Sequence, residues 1–321
     1  MAVLVAGGAG FIGSHLVDRL LAEGEDVVVA DKLCFGDRNI RHLLDDSELG
    51  RKGRFRFYML ELADQECVDK VFAENKIDTV YHLAANSDIR KGGEEPAVDW
   101  SDTLKTTRTI LEGMRKVNVR NLFFASTSAV YGERFDERLS EITGGLQPIS
   151  YYGGAKLASE ALISSYTYMC NLHSVVFRFP NVIGPRLTHG VIYDFMNKLK
   201  QSPHKLKILG NGTQCKPYIY VSDLIDAIAH LTKEWKSGQD VFNISVNSAG
   251  TTVTRIAEIV VGEMGLDGVQ FEYTGGDCGW KGDVPRFEYD ISKILATGWK
   301  PRHTSDEAVR QTVTDMIAAK M

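Results

Sequence analysis

The stretch Val3-Leu4-Val5-Ala6-Gly7-Gly8-Ala9-Gly10-Phe11-Ile12-Gly13 is an apolar run that breaks into glycines and resumes as His15-Leu16-Val17-Asp18-Arg19-Leu20-Leu21. The first part reads as a buried parallel strand, the last as an amphipathic helix. Between them Gly7, Gly10 and Gly13 let the backbone turn sharply, approach a pyrophosphate with no side chain in the way, and pack the helix on the sheet. Phe11 and Ile12 open that helix, whose N-terminus offers N–H groups and a positive dipole end to the phosphates. A tight turn in any α/β protein can carry such glycines, so the context decides. A second apolar strand, Val27-Val28-Val29-Ala30, ends in Asp31, eighteen residues past Gly13, where a carboxylate can accept hydrogen bonds from an adenosine ribose. Strand, turn, helix, strand and acid in that order predict a dinucleotide site. Asp31 favours NAD over NADP because it repels a 2′-phosphate, and Lys32 beside it is a cation that would soften the repulsion.

Strands then alternate with helices. Phe55 to Leu60 and Ile77 to Leu83 read as strands, with a helix over Asp64 to Glu74 between them. The fourth strand ends in Leu83-Ala84-Ala85, small residues that would let a cofactor lie against it, and His82 reads as a satisfied sheet histidine. A helix over about Pro96 to Val117 leads to a fifth strand, Asn121 to Ala125, and then a helix over Ser150 to Cys170 leads to a sixth, Ser174 to Arg178. This rhythm predicts an α/β fold, a doubly wound parallel sheet of the Rossmann kind. From Lys205 the rhythm breaks into short strands among helices, which reads as a smaller C-terminal α/β substrate lobe. The expected division is a dinucleotide-binding domain over residues 1–180, to which segments about 218–250 return, and a lobe over 181–321.

With 321 residues the chain can bury about three quarters of its unfolded surface. Its 44% hydrophobic and 25% charged residues and net charge of −5 are ordinary for a globular protein, and nothing points to nucleic acid. The cluster Arg51, Lys52 and Arg54 reads as a solvated loop. Five scattered cysteines, odd in number and without a close pair, suggest neither a metal site nor a disulfide framework, and read as reduced and intracellular. No signal peptide or membrane-length apolar run is expected, which with the cysteines implies the cytoplasm.

Tyr152-Gly153-Gly154-Ala155-Lys156 places a phenol and an ammonium one helical turn apart. A tyrosine titrates near 10, so to act as a base near neutrality it needs a shift of roughly three units, about 4 kcal/mol of preference for phenolate. A neighbouring lysine and a positively charged nicotinamide can supply that preference.

With this pair the chain resembles the extended short-chain dehydrogenase/reductases, and within them the NAD-dependent nucleotide-sugar epimerases and dehydratases. The similar motifs run nearly the length of the chain: the glycine turn, Asp31, His82-Leu83-Ala84-Ala85, Ser126-Thr127 before Val130-Tyr131-Gly132, Tyr152-x-x-x-Lys156, Arg178-Phe179-Pro180-Asn181, Gly184-Pro185-Arg186, Gly210-Asn211-Gly212-x-Gln214, Tyr220-Val221-x-Asp223, and Gly282-Asp283-Val284 to Gly298-Trp299-x-Pro301. The resemblance implies that Tyr152 is the base, that Lys156 holds the nicotinamide ribose, and that the Thr127 hydroxyl relays the proton. It implies that Glu61 and Leu62 surround the adenine and that Asn181 contacts a substrate diphosphate.

Three departures from the family pattern matter. Dehydratases of the family carry an Asp-Glu pair after the threonine, and sugar-acid decarboxylases carry a glutamate one residue further on; here Ser128 and Ala129 stand there, so the acid for eliminating water or assisting decarboxylation is absent. The phosphate-gripping arginine is Lys216, which keeps the charge and loses the bidentate fork. The arginine before Gly282-Asp283 is Trp280, leaving a second clamp to Arg186 or Lys281.

The resemblance therefore implies 4-epimerisation of a UDP-hexose, with UDP-galactose and UDP-glucose as the expected pair. The alternatives are an epimerase or reductase on another nucleotide sugar and a non-catalytic NAD-binding regulator, although a regulator would be expected to lose Tyr152 or Lys156. The resemblance also implies a homodimer, paired through helices over about Pro96 to Val117 and Ser150 to Cys170, with Leu157, Leu162 and Ile163 candidates for the shared face or for packing on the sheet. Phe287 stands where such epimerases place a gatekeeper against bulk at C2 of the hexose; it reads equally as filling a hydrophobic wall between lobes.

Overall fold

In the computed structural model, which describes residues 1–44, 53–134, 137–235, 238–279 and 282–319, the glycine-led stretch opens a seven-stranded sheet. Its first five strands are β1 (Ala2–Ala6), β2 (Asp26–Asp31), β3 (Phe55–Met59), β4 (Ile77–His82) and β5 (Asn121–Thr127). The order across the sheet is Gln239–Asn243, His173–Phe179, β5, β4, β1, β2, β3. β1 pairs in parallel with both β2 and β4, and the pairs β2–β3 and β4–β5 are parallel too. The strand order reverses between β1 and β4, and ligands of such sheets bind at that switch point, outside the strand ends.

The apolar runs become strands because both faces of the sheet are covered. Leu4, Val28, Val80, Leu122 and Phe124 pack with Ile110, Leu111 and Met114 of the Thr106–Val117 helix and with Ile163 of the Tyr151–Cys170 helix. Ile163 is fully buried in this core, and Leu162 packs against it. This corrects the placement of Ile163 among candidates for a pairing face, because the helix turns it towards the sheet.

A second difference lies in the long helix expected over Pro96 to Val117. The run is helical throughout but changes pitch: α over Pro96–Asp99, π over Trp100–Lys105 and α over Thr106–Val117. Threonine hydroxyls turn back on the backbone there. Thr106 Oγ1 donates to the carbonyls of Asp102 and Thr103 at 2.9 Å each, and Thr107 Oγ1 to that of Thr103 at 2.8 Å. Such back-bonds compete with the regular ladder, and π turns recur at functional sites.

The chain divides into two compact units. The first comprises Met1–Val130, Gln147–Arg178 and Ile228–Phe242, and the second Tyr131–Leu146, Phe179–Ala227 and Asn243–Met321. In the second, the helices Val191–Gln201, Val253–Glu263 and Ser305–Ala318 enclose a separate core that includes Phe195, Leu199, Ile256, Val260, Val309 and Val313. Its strands are short: Lys205–Ile208 pairs with Gln270–Tyr273, Asn181–Ile183 with Tyr218–Tyr220, Arg138–Leu139 with Glu288–Tyr289, and Cys215–Lys216 with Thr251–Thr252. Among the described residues no helix is long and apolar enough to cross a membrane.

Candidate active site

The glycines work as a set at the switch point. Gly7 has φ +83°, and a Cβ there would lie 2.6 Å from the Ala84 nitrogen at the end of β4. A Cβ on Gly13 would run into the Gly7 carbonyl, so the Phe11–Glu23 helix can meet the turn only through glycine. Gly10 caps that helix and no side chain does, which leaves the first turn, Phe11 and Ile12 included, without a side-chain cap, as an anion site would require. Leu83, Ala84 and Ala85, partly exposed, follow β4 on the other side of the switch point.

Asp31 is locked by the backbone: its carboxylate accepts the Ala9 N–H at 3.0 Å and the Leu33 N–H at 2.8 Å. Burial raises its pKa, against which the N–H groups of Leu33, Ala9 and Lys32 pull. Lys32 Nζ lies 2.8 Å from Asp102 and 3.3 Å from Glu61. Burial works against the ammonium, yet Asp102 and Glu61 hold its pKa above the ordinary value. Lys32 draws the Asp31 pKa down as a neighbouring cation should, and it also pairs with Asp102 and Glu61. Asp102 was not legible as a member of this site, because it reaches Lys32 from the π turn. Glu61 also accepts the Ala63 N–H at 3.1 Å, and Leu62 lies in the sheet core. A glycine cradle opposite a backbone-locked carboxylate fits the pyrophosphate and ribose of NAD.

The proton-handling groups meet at the end of β5, which runs two residues further than its apolar pattern suggests and carries Thr127 as its last residue. Ser150 caps the next helix by accepting the Gly153 N–H at 3.1 Å. A Cβ on Gly153 would sit 2.7 Å from the Ala129 carbonyl oxygen, so glycine there brings the helix start against the turn after β5. Tyr152 thereby comes close enough to Thr127 for that hydroxyl to favour its phenolate. Tyr152 is half-buried; burial pushes its pKa up to about 12, Thr127 working against this and Asp99 with it. One turn on, Lys156 is 2% exposed; its Nζ donates to the Ala125 carbonyl at 2.6 Å and lies 6.0 Å from the centre of the Tyr152 ring. Burial pulls its pKa down to about 7, with Glu160 and Asp99 opposing.

A further turn along, Glu160 and Arg178 form a buried two-pronged ion pair, with bonds of 3.1 and 2.6 Å, and Ser126 of β5 donates to the same carboxylate. This ties the helix to both neighbouring strands. His82 is fully buried: its Nε2 is 3.0 Å from Thr107 Oγ1, and its Nδ1 has no hydrogen-bond partner among the described residues. The expected satisfied histidine is thus only half satisfied. Burial drives its pKa down to about 3, with Lys156 adding to the effect.

The expected substrate contacts lie in the second unit. Asn181, exposed at the start of its strand, stands in register with Tyr218 of the paired strand. Arg186 has φ +70° and is half-buried. Lys216 pairs with Asp283, which also accepts the Gly279 N–H at 3.3 Å. Phe287 is 6% exposed, its ring edge-on to Tyr289 at 5.5 Å, and Tyr289 meets Tyr131 in turn at 6.0 Å. Trp280 and Lys281, like Arg51 and Lys52, lie outside the described residues.

The profile of the NAD dependent epimerase/dehydratase family matches residues 3–245. A UDP-glucose 4-epimerase from Lactobacillus helveticus is 30% identical over 339 residues, covering 99% of this chain and 95% of that protein. The structure of UDP-glucose 4-epimerase from Thermotoga maritima with UDP-glucose matches with a TM-score of 0.88 at 30% identity, covering 100% of both chains. That of the Thermus thermophilus UDP-glucose 4-epimerase in complex with NAD matches with a TM-score of 0.86 at 32% identity, covering 99% of this chain and 100% of the other. The profile match, spanning the glycine turn, Asp31, Thr127, Tyr152 and Lys156, assigns the chain to the NAD dependent epimerase/dehydratase family.

Proposed function

We propose that the chain interconverts the C4 epimers of a UDP-hexose, UDP-galactose and UDP-glucose, through a 4-keto sugar. The observation that carries this reading is the buried Lys156 ammonium one helical turn from Tyr152, 6.0 Å from its ring, with Thr127 ending the strand beside them and no acid at Ser128 or Ala129. Tyr152 takes the 4-hydroxyl proton, and Thr127 holds the phenol and passes the proton on. Lys156 offers its ammonium to the ribose and to the forming phenolate, lowering the cost of a charge that burial alone makes expensive. NAD, when bound, would supply hydride acceptance and return at C4, leaving no net oxidation. Asp31, Glu61 and Leu62 hold its adenosine end. With no carboxylic acid beside Thr127, the ketone is not drained into elimination or decarboxylation.

In the second unit Asn181, Arg186 and Lys216 grip the diphosphate, Lys216 exchanging part of its bond to Asp283 for phosphate, and Phe287 limits the group at C2. The chain works as a cytoplasmic homodimer; Trp100, Tyr168 and Met169, all strongly exposed on the helical runs Trp100–Lys105 and Tyr151–Cys170, supply apolar surface for the pairing, and its five free cysteines fit a reducing compartment. Purified protein with NAD and UDP-galactose is expected to form UDP-glucose until the two reach equilibrium. No interconversion at any enzyme concentration overturns the proposal.

A further inference from the structure

Asp99, at the junction between the short α-turn and the π turn, is 2% exposed. Its Oδ1 accepts from Asn86 Nδ2 at 2.9 Å, and its buried Oδ2 has no hydrogen-bond partner among the described residues. The chain makes room for it. A Cβ on Gly92 would run into Oδ2 and sit 2.9 Å from Cγ, and Asn86 is itself held by Thr103, whose Oγ1 accepts the Asn86 N–H at 3.2 Å. A carboxylate oxygen without a donor in a dry place calls for a compensating cation.

Four charged side chains are buried among the described residues of the first unit: Asp99, Lys156, Glu160 and Arg178. Glu160 and Arg178 match each other in a two-pronged pair, which leaves Lys156 and Asp99. The segments that carry Asp99 pack on the helix that carries Lys156. We propose that Asp99 is the counter-charge of Lys156, a positioning residue that keeps the lysine an ammonium beside Tyr152 in a site whose dryness would otherwise strip its proton. The inference rests on the reading of Tyr152 and Lys156 as the reacting pair. Asp99 acts at a distance: the Lys156 Nζ hydrogen bond goes to the Ala125 carbonyl, and the remaining N–H donors stay available to a ribose.

The other titratable groups around the pair are Tyr152 itself, His82 from β4, Glu160 on the same helix with Arg178 behind it, and Asp102 on the π turn, which is held by Lys32. The electrostatics run the same way: Glu160, already matched by Arg178, and then Asp99 oppose the effect of burial on Lys156, and Asp99 adds to it on Tyr152.

The test is Asp99→Asn, which keeps the shape and an acceptor for Asn86, read by NMR titration of protein labelled with carbon-13 at the lysine ε position. The Lys156 signal is identified by its loss in Lys156→Arg. Removing Asp99's charge is expected to lower the Lys156 midpoint by about one pH unit, and Asp102→Asn, whose charge is matched by Lys32, to lower it less. An unmoved midpoint in Asp99→Asn, or an equal fall in both variants, overturns the proposal. If Asp99→Asn does not fold by circular dichroism, Asp99→Ser carries the same expectation. The readout needs no turnover, so a chain that fails to epimerise UDP-galactose defeats the functional reading and leaves this one standing.

Discussion

In the first unit the groups assigned to chemistry are held by the backbone. Lys156 bonds to the Ala125 carbonyl, Asp31 receives the N–H groups of Ala9 and Leu33, and Gly153 brings its helix against Ala129. In the second unit Lys216 and Phe287 stand on or beside two-residue strands, and their partners are other side chains, Asp283 and Tyr289. A backbone-held group is placed by the fold itself, so losing it should remove the reaction. A group held by side chains can be rematched, so losing it should change affinity or choice of substrate.

The largest effect expected is that of Tyr152→Phe. The ring still packs and the proton acceptor is gone, so kcat should fall about a thousandfold or more while NAD binding by calorimetry is retained. Turnover within tenfold of the parent would place the base elsewhere. Lys216→Ala should instead raise KM for the UDP-sugar by roughly 10- to 100-fold with kcat little changed, the loss of one charged bond made equally in ground and transition states. A fall in kcat without a change in KM would erase the contrast between the units.

A pH dependence sharpens the first half of the comparison. His82 is held down to about 3 by burial, against 6.5 for the free side chain. Between those values the unfolded chain binds a proton that the native chain does not. The stability is therefore fully present above about pH 6.5 and is lost as pH falls towards 3, by about 1.4 kcal/mol per unit from this group. Urea unfolding at pH 7 and pH 5 should show a smaller loss for His82→Gln than for the parent. Equal losses would assign the acid sensitivity to other groups.

The smallest effect concerns Phe287. A large ring in a packed wall leaves room for a hydroxyl and little for an N-acetyl group at C2, so the parent should prefer UDP-galactose to UDP-N-acetylgalactosamine by roughly tenfold in kcat/KM, about 1.4 kcal/mol. Phe287→Ser should shrink that ratio. Equal rates on both sugars in the parent would make Phe287 a packing residue only.

The same division governs what could be read from the sequence. Contiguous Val, Leu and Ile runs ending in glycine or an acid signal a buried parallel strand and its turn, and β1, β2 and the Gly7–Gly13 cradle lie where that pattern puts them. Tyr152 and Lys156 were legible because one helical turn is a sequence spacing. Asp99 and Asp102 were not, since acids in a helix pattern read as solvent-facing, and only threonine back-bonding and the π turn bring them inward. Lys32 was legible in part: it draws the Asp31 pKa down as its adjacency suggests, but adjacency says nothing of Asp102, a partner from a distant segment. Two-residue strands such as Cys215–Lys216 leave no periodicity to detect, which is why the second unit was legible mainly through family motifs.

In the proposed reaction C4 loses and regains the same hydride while Tyr152 and its neighbours move only the proton. UDP-galactose carrying deuterium at C4, equilibrated with the NAD-bound protein in ordinary water, tests it directly. The expected product is UDP-glucose that keeps the deuterium at C4, with none released to solvent. Formation of UDP-glucose with the label washed out to water would contradict it.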